Sequence, residues 1–462
     1  MKLKLLNHKN LDMTQGNALK VIVFFTIPLL LGNLFQQLYN VVDSYIVGDV
    51  LGDDAMGAVS SSGSLINLLI GLIQGISVGG GIVVAQHFGA KNKDRMRKCE
   101  HTLVIFGVVL GIAMTIIGYV LSPILLRKME TPEEILPLSI EYFQVYFLGV
   151  IFTIMYNCFA SILRAVGDSR HPLYYLILAT LINVVVDILF IRVLHMGIKG
   201  AAFATIISQG VSALLTLLQL LFTKEDYKLK FKELKFTKEE LILILKYGIP
   251  TGLQNSIISL SNVFIQKNIN AFGNTATSGY GAYVKIEGFA TLPSGSFSMT
   301  LSTFVGQNVG AKKYDRAKKG GMIGLLTSVI VTEMLGIGLA IFARPLVDLF
   351  TDTEAVIDIG MKPLHIIAPF FGLLAFSHGM SGVLRGAGYS KTPMFIMIIC
   401  WVAVRISLIP VALNIPGWNR IETIFWFYPF TWSLSFIALN VNSRLTLFSK
   451  KKFQTVEDLV LE

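Results

Sequence analysis

No polar stretch inside this chain is long enough to fold by itself. Between residues 21 and 443 the sequence passes through twelve apolar segments. They run roughly 21–47, 58–88, 101–126, 138–163, 172–191, 199–222, 241–267, 278–309, 320–343, 363–384, 393–413 and 422–443, and the longest polar interval between them is about 223–240. Lipid offers the backbone no hydrogen bonds, so runs of this length and composition cross a bilayer as helices. The pattern predicts an all-α polytopic membrane protein with twelve transmembrane helices and almost nothing outside the bilayer. Composition agrees: 53% of the 462 residues are hydrophobic and only 15% are charged, against about 25% charged in an ordinary soluble domain.

Lysine and arginine are spread unevenly over the loops. If the N-terminus and every second loop share one side, that side holds 29 of the 39 basic residues, the other loops hold 8, and Lys285 and Arg405 fall inside spans. Basic residues concentrate in cytoplasmic loops. Both termini are therefore expected in the cytoplasm and the chain in the cytoplasmic membrane, with lipid as its surroundings. The same distribution accounts for the formal charge of +10 without a nucleic-acid partner. A monomer is expected.

Several chemistries are excluded. Residues 1–20 are polar and no cleavage site follows the first apolar run, so no secretory signal is expected. Cys99, Cys158 and Cys400 are scattered, with no histidine at ligand spacing, which argues against disulfides and zinc. GISVGGG (75–81) has no accompanying strand or P-loop lysine, so close helix packing explains it better than a phosphate cradle. No Ser/His/Asp arrangement or HExxH occurs, and the chain is not expected to be an enzyme.

The sequence contains itself twice. QHFGAKNKDRMRK (86–98) matches QNVGAKKYDRAKK (307–319) at an offset of 221, with seven of thirteen positions identical. LRAVGDSRHP (163–172) matches LRGAGYSKTP (384–393) at the same offset, and Pro28 corresponds to Pro250 at an offset of 222. A unit of six spans crosses the membrane an even number of times, so the two copies run in the same sense and are related by an axis along the membrane normal. The expected organisation is an N-lobe (1–222), a cytoplasmic linker (223–240) and a C-lobe (241–462), two pseudo-twofold-related six-helix lobes suited to alternating access around a central cleft.

These features together resemble the multidrug and toxic-compound extrusion (MATE) transporters over essentially the whole chain. The carriers are the duplicated twelve-span layout, the two QxxGAxxxDR loops, the two LRxxGxSxxP loops and PLLLGNLFQQLYNVVDSYIVG (28–48). The DinF-like branch fits best, because of the acidic residues described next.

A carboxylate at the centre of a bilayer costs about 2.5–3.5 kcal/mol on insertion scales and marks function by default. In the first span Gln36, Asn40 and Asp43 fall at i, i+4 and i+7, on one helical face. In the fifth, LINVVVDILFI (181–191) places Asn183 and Asp187 at i, i+4. The fourth offers Tyr142 and Tyr146 at i, i+4, and the sixth Thr205. The topology puts Asp43, Tyr142, Asp187 and Thr205 in the outer half of the membrane, with Asn183 one turn deeper. Should they converge, two carboxylates in low dielectric require a cation or a shared proton, and the amide, hydroxyl and phenol oxygens suit a hard cation. The coupling ion is Na+ or H+, with Asp43, Asn183, Asp187 and Thr205 as the Na+ ligands and Tyr142 beside them; no other cofactor is expected. The alternative for every member is an interhelical hydrogen-bond network.

The resemblance implies the same assignment. DinF-like transporters carry an Asp in the first span, N-x-x-x-D in the fifth, a Tyr in the fourth and a Thr in the sixth as their N-lobe cation site, matching Asp43, Asn183, Asp187, Tyr142 and Thr205. It also implies a bend at Pro28, and a proline within a helix does permit a kink, so Pro28 is a candidate hinge. NorM-like relatives instead have a Glu in the seventh span and an Asp in the tenth. Here the seventh has no carboxylate and the tenth offers only His365 and His378, which speaks against a NorM-type C-lobe site.

Further charged residues mark a possible substrate pathway. Lys285 and Glu287 are two apart in the eighth span and point in different directions, with Arg405 in the eleventh as a potential partner. With Gln36, Asn40 and Tyr146 they are assigned to that pathway. Pro293 is expected to break the eighth helix. The expected activity is antiport of a small organic, cationic or amphipathic compound against Na+ or H+. A lipid-linked precursor flippase of the same superfamily and a non-transporting channel or sensor are the alternatives.

Overall fold

The computed structural model describes residues 11–129 and 131–446. Among them every regular element is helical: α1 (Ala18–Leu51), α2 (Asp53–Gly89), α3 (Lys93–Lys128), α4 (Leu136–Leu148), α5 (Val150–Ala165), α6 (Arg170–Asp187), α7 (Ile198–Phe222), α8 (Lys238–Asn270), α9 (Asn274–Ala290), α10 (Leu292–Gly310), α11 (Tyr314–Ile341), α12 (Ala343–Asp348), α13 (Glu354–Ile366), α14 (Phe371–Gly386), α15 (Lys391–Met397), α16 (Val404–Leu413) and α17 (Ile421–Thr446). Wider π-helical turns follow α6 at Ile188–Val193 and join α15 to α16 at Ile398–Ala403.

Among the described residues, ten helical stretches are individually long and apolar enough to cross a membrane, and α4 with α5, bent by 46°, make an eleventh. The eighth expected span is the exception. It is divided between α9 and α10 at Thr291, with Pro293 in the first turn of α10, where its missing N–H costs nothing. The tenth is also interrupted, between α13 and α14. There Glu333 of α11 accepts a hydrogen bond from the Gly372 backbone N–H, satisfying a group that the break leaves without a helical partner.

Two compact units divide the chain. Among the described residues, one comprises 11–12 and 27–252 and the other 13–26 and 253–446. They differ from the expected lobes in two segments, because 13–26 belong with the second half of the sequence and 241–252 with the first. Both crossings lie inside continuous helices, α1 and α8, within two residues of Pro28 and Pro250. Each proline removes one helical hydrogen bond, that of the Phe24 or Lys246 carbonyl, close to where the helix leaves one unit for the other.

The repeated loops explain how these segments are held. In the second unit Gln307 Oε1 accepts from the Met13 N–H at 3.1 Å and Asn308 Nδ2 donates to the Met13 carbonyl at 3.1 Å. Arg316 donates to the carbonyls of Met13 (3.1 Å), Gln15 (2.6 Å) and Gly16 (2.6 Å), and Lys313 to that of Thr14 (2.9 Å). These contacts fix the chain just before α1. In the first unit the equivalent positions, 221 residues earlier, fix the start of α8. Buried Glu240 pairs with His87 Nε2 at 3.1 Å and Arg95 Nε at 3.3 Å. The QxxGAxxxDR motif is thus a clasp used twice, once on backbone carbonyls and once on a side chain.

The second repeated motif answers a backbone requirement. Gly167 and Gly388 in the LRxxGxSxxP loops have φ of 92° and 99°, a region open to glycine at no steric cost. Close packing explains GISVGGG: a Cβ on Gly75 would lie 2.1 Å from Gly252 N, and one on Gly79 2.4 Å from Gly248 N.

Two outcomes follow from this packing. Gly79→Leu is expected to force α2 and α8 apart and to destabilise the first unit by about 1–3 kcal/mol or more, read as a lower midpoint of thermal unfolding in detergent. Arg316→Ala is expected to cost about 1.5–3 kcal/mol, the scale of hydrogen bonds to a charged group, and to speed amide exchange selectively in residues 13–26.

Candidate functional site

One stripe of α6 faces inward: Pro172, Leu173, Leu176, Ala179, Asn183 and Asp187 are its buried residues. From Leu173 onward their spacing of three and four is that of a single helical face. The apolar neighbours point the other way, with Leu181 60% and Val185 65% exposed. The run LINVVVDILFI therefore turns its oil to the outside up to Ile191, which is buried, and its two polar residues to the interior, where Asn183 is 1% and Asp187 0% exposed.

Three further helices converge on them. Asp43 of α1 is buried, and its carboxyl group stands within hydrogen-bonding reach of that of Asp187. Carboxylates only accept, so with both ionised no donor lies between them. Among the described residues, Asp43 Oδ1, both Asp187 oxygens and both polar atoms of Asn183 have no hydrogen-bond partner. Tyr142 of α4 is buried within electrostatic reach of both acids, its ring stacked 6.4 Å from that of Tyr146. Thr205 of α7 is buried, donates to the Ala201 carbonyl at 3.1 Å and shares a 3.0 Å hydrogen bond with Tyr39.

The five residues expected at a cation site are thus buried in one unit, with the two acids face to face. Tyr39 is a sixth member that the sequence reading passed over. It lies four residues before Asp43, and that spacing was the available signal. Gln36 and Asn40 do not join them: both are exposed. Asp43 shares its buried environment with Tyr39 rather than with those two. Tyr146 turns toward Thr153 instead of the acids.

A second polar cluster occupies the other unit. Arg405, 2% exposed, donates from Nε to Thr431 Oγ1 at 3.0 Å, and its guanidinium lies 4.3 Å from the Tyr428 ring centroid and 5.7 Å from that of Trp401. Tyr428 and Tyr280 share a 2.7 Å hydroxyl hydrogen bond. Half-buried Glu287 neighbours Tyr283 and is within electrostatic reach of Arg405, but no ion pair closes between them among the described residues. Lys285 points elsewhere, exposed with Nζ 5.6 Å from the Phe350 ring centroid. The two-residue spacing separates them as the helical geometry requires. Pro28 lies within α1, two residues beyond the crossing between units.

The acid pair makes a measurable prediction about stability. In Asp187→Asn the new amide supplies the missing donor to Asp43, relieving a buried unsatisfied group worth about 1–3 kcal/mol. At pH 8 without Na+ this variant is expected to unfold at a higher temperature than the natural chain. The difference should shrink when acid or Na+ supplies the positive charge.

Comparison with known proteins bears on this architecture. The MatE family model matches residues 28–189 and again 250–411, one match in each repeat, 222 positions apart. The chain is 31% identical over 403 residues to a probable multidrug resistance protein, YpnP, of Bacillus subtilis, covering 86% of this chain and 89% of that protein. It is 27% identical to the probable multidrug resistance protein NorM of Thermotoga maritima, over 85% and 84% of the two chains. Among solved structures, one described as the outward-facing conformation of a multidrug resistance MATE family transporter of the MOP superfamily superposes with a TM-score of 0.89. That pair is 21% identical, over 96% of this chain and 98% of that one, and the likeness shows the fold. With its duplicated helical units, multi-pass membrane character and these matches, the chain belongs to the MatE family of membrane transporters.

Proposed function

We propose that the protein is a secondary antiporter that exports organic, cationic or amphipathic compounds in exchange for Na+ or H+ bound at Asp43 and Asp187. The observation that carries this reading is the pair itself: two buried carboxyl groups within hydrogen-bonding reach of each other, with no donor between them when both are ionised. Such a pair calls for one added positive charge. A proton would bridge the two carboxyls directly. A sodium ion would use their oxygens with those of Asn183, Thr205 and Tyr39, with Tyr142 beside it, a hard-oxygen shell of the kind such cations take. Relatives named as multidrug resistance proteins support an organic cargo.

Coupling follows if the ion binds one packing of α1 against α6 and α7 more tightly than another, since a ligand shifts an equilibrium only by its differential affinity. Loaded, the added positive charge removes the repulsion between the two acids and α1 packs against α6 at low cost; empty, two like charges favour separation. Pro28 supplies the point at which α1 can bend between these states. A flippase for a pyrophosphate-linked lipid would want its basic residues together. Lys285 is exposed above Phe350 while Arg405 is enclosed by aromatic rings, which supports the antiporter instead.

The decisive experiment is efflux of a fluorescent organic cation from proteoliposomes under separate Na+ and H+ gradients. The natural chain is expected to concentrate the compound against one gradient or both. Asp43→Asn and Asp187→Asn should both reduce gradient-driven efflux to the rate of empty vesicles. Concentrative efflux by Asp187→Asn at the natural rate would overturn the assignment, and flux indifferent to both gradients would indicate a channel.

A further inference from the structure

The last turn of α14 holds a buried cation without a counter-charge. A basic residue at a helix C-terminus commonly serves the free carbonyls there, but the LRxxGxSxxP loop already does so. The N–H groups of Ala387, Gly388 and Tyr389 donate to the carbonyls of Val383, Arg385 and Leu384 at 3.0, 3.0 and 2.8 Å. The Arg385 side chain instead runs back along α14, the direction in which helical side chains incline. Its Nη2 donates to Ser298 Oγ of α10 at 2.9 Å, and Ser298 donates in turn to the carbonyl of His378, seven residues before Arg385, at 2.6 Å. The guanidinium therefore meets a neutral oxygen. Arg385 is 8% exposed, its Nε is buried without an acceptor, and no carboxylate pairs with it among the described residues. Glu333 is engaged by Gly372 at the opposite end of α14, and His378, within electrostatic reach of the guanidinium, supplies no negative charge. A buried charge without a partner is costly, and a buried donor without an acceptor calls for an explanation.

Ser302 stands one turn from Ser298 on the same face of α10, buried, and its hydroxyl also lacks a partner. At this level α10 and α14 touch backbone to backbone. A Cβ on Gly382 would lie 2.3 Å from Ser298 O, and one on Gly386 2.5 Å from Ser302 O. Arg385, next to Gly386, thus carries its side chain from the level of Ser302 to that of Ser298. The repeat provides a contrast. At the offset of 221, Arg164 corresponds to Arg385 and Ser77 to Ser298, but Gly81 stands in the place of Ser302. There Ser77 Oγ lies 3.3 Å from the Ile73 carbonyl and 3.7 Å from Cys158 Sγ, while Arg164 neighbours Tyr156. The pair of orphan donors belongs to the second unit and not to the repeated motif.

We propose that Arg385 and Ser302, with Ser298 holding the guanidinium in place, form a binding site for chloride. The ion accepts from Arg385 Nε and from the Ser302 hydroxyl. Charge selects an anion, since a guanidinium stays protonated in proteins. The donor set selects a monatomic one: two orphan donors beside helices in backbone contact suit a single acceptor atom, whereas phosphate or sulfate would bury further oxygens with no donor to meet them. The ion fastens α10 to α14 and takes no part in the exchange proposed above, so the two readings stand or fall separately.

The test is thermal unfolding of the purified full-length chain in detergent while sodium gluconate is replaced stepwise by sodium chloride, at constant Na+ and ionic strength. The midpoint is expected to rise saturably by about 2–4 °C, as it does for a ligand bound only by the folded state. Bromide, of the same charge and nearly the same size, should act in its place. Arg385→Met should unfold at one temperature in both salts. Ser302→Ala, which deletes a single donor, should raise the half-saturating chloride concentration about fivefold, the scale of one hydrogen bond. Asp187→Asn should keep the natural response. A midpoint of the natural chain that is the same in chloride and gluconate, or a chloride response undiminished in Arg385→Met, would overturn the proposal, and the first of these comparisons needs no variant to fold.

Discussion

Two carboxyl groups turned toward each other in an apolar interior, with no donor between them, are the constraint around which the first unit is arranged. Asp43 and Asp187 come from helices 144 positions apart in the sequence, and an uncompensated pair of charges at that depth would push α1 and α6 apart. The surrounding residues answer this in oxygen: Tyr39 and Thr205 joined to one another, Tyr142 alongside, and Asn183 one turn along α6 with its amide unsatisfied. A network built for stability alone would have placed an Asn, Gln or Lys opposite one of the acids. The chain keeps the pair unsatisfied, a cost that the proposed exchange of a cation at this pair would explain.

The duplicated sequence has two uses that its history alone does not explain. Each QxxGAxxxDR loop holds the entry to a helix that begins in its own unit and ends in the other. Each LRxxGxSxxP loop keeps its glycine because the chain turns there with positive φ. The clasp is conserved between repeats as a geometry and not as a chemistry. Arg316 grips backbone carbonyls before α1, whereas Arg95 and His87 grip the Glu240 carboxylate within α8. The units also part company in their charged interiors. In one, Asp43 and Asp187 face each other; in the other, Arg405 stacks on Tyr428 and makes no ion pair with Glu287 among the described residues.

Much of the candidate site was legible in the sequence because helical periodicity is local. Asn183 and Asp187 had to share a face of α6, and that face had to point inward once charged groups were excluded from lipid. Periodicity was less telling for α1, where Gln36, Asn40 and Asp43 share a broad face but Tyr39, overlooked, is the residue beside Asp43. A face defined by counting is broad, and a few tens of degrees decide which edge of it meets a neighbouring helix. The eighth span shows one local signal refining another. Hydropathy reads 278–309 as one run, and Pro293, expected to break it, stands in the first turn of the second of two shorter helices. The opposed directions of Lys285 and Glu287 needed only their two-residue spacing, but nothing along the chain placed Arg405 beside Tyr428.

By itself the sequence determined the solvent, the helices, the doubling and the inward face of α6. All of these follow from rules that act within one helix or between identical segments: lipid leaves no backbone group unpaired, and side chains repeat every 3.6 residues. The tertiary structure decided how far each helix rotates about its axis and which neighbours it meets. It brought Asp43 to Asp187 and Tyr39 to Thr205, drew residues 13–26 into the second unit, and kept Glu287 from closing on Arg405. Those outcomes depend on packing between segments a hundred or more residues apart, where side-chain volume, backbone breaks and the placement of glycine set the fit, and none of these is written in any single stretch of the chain.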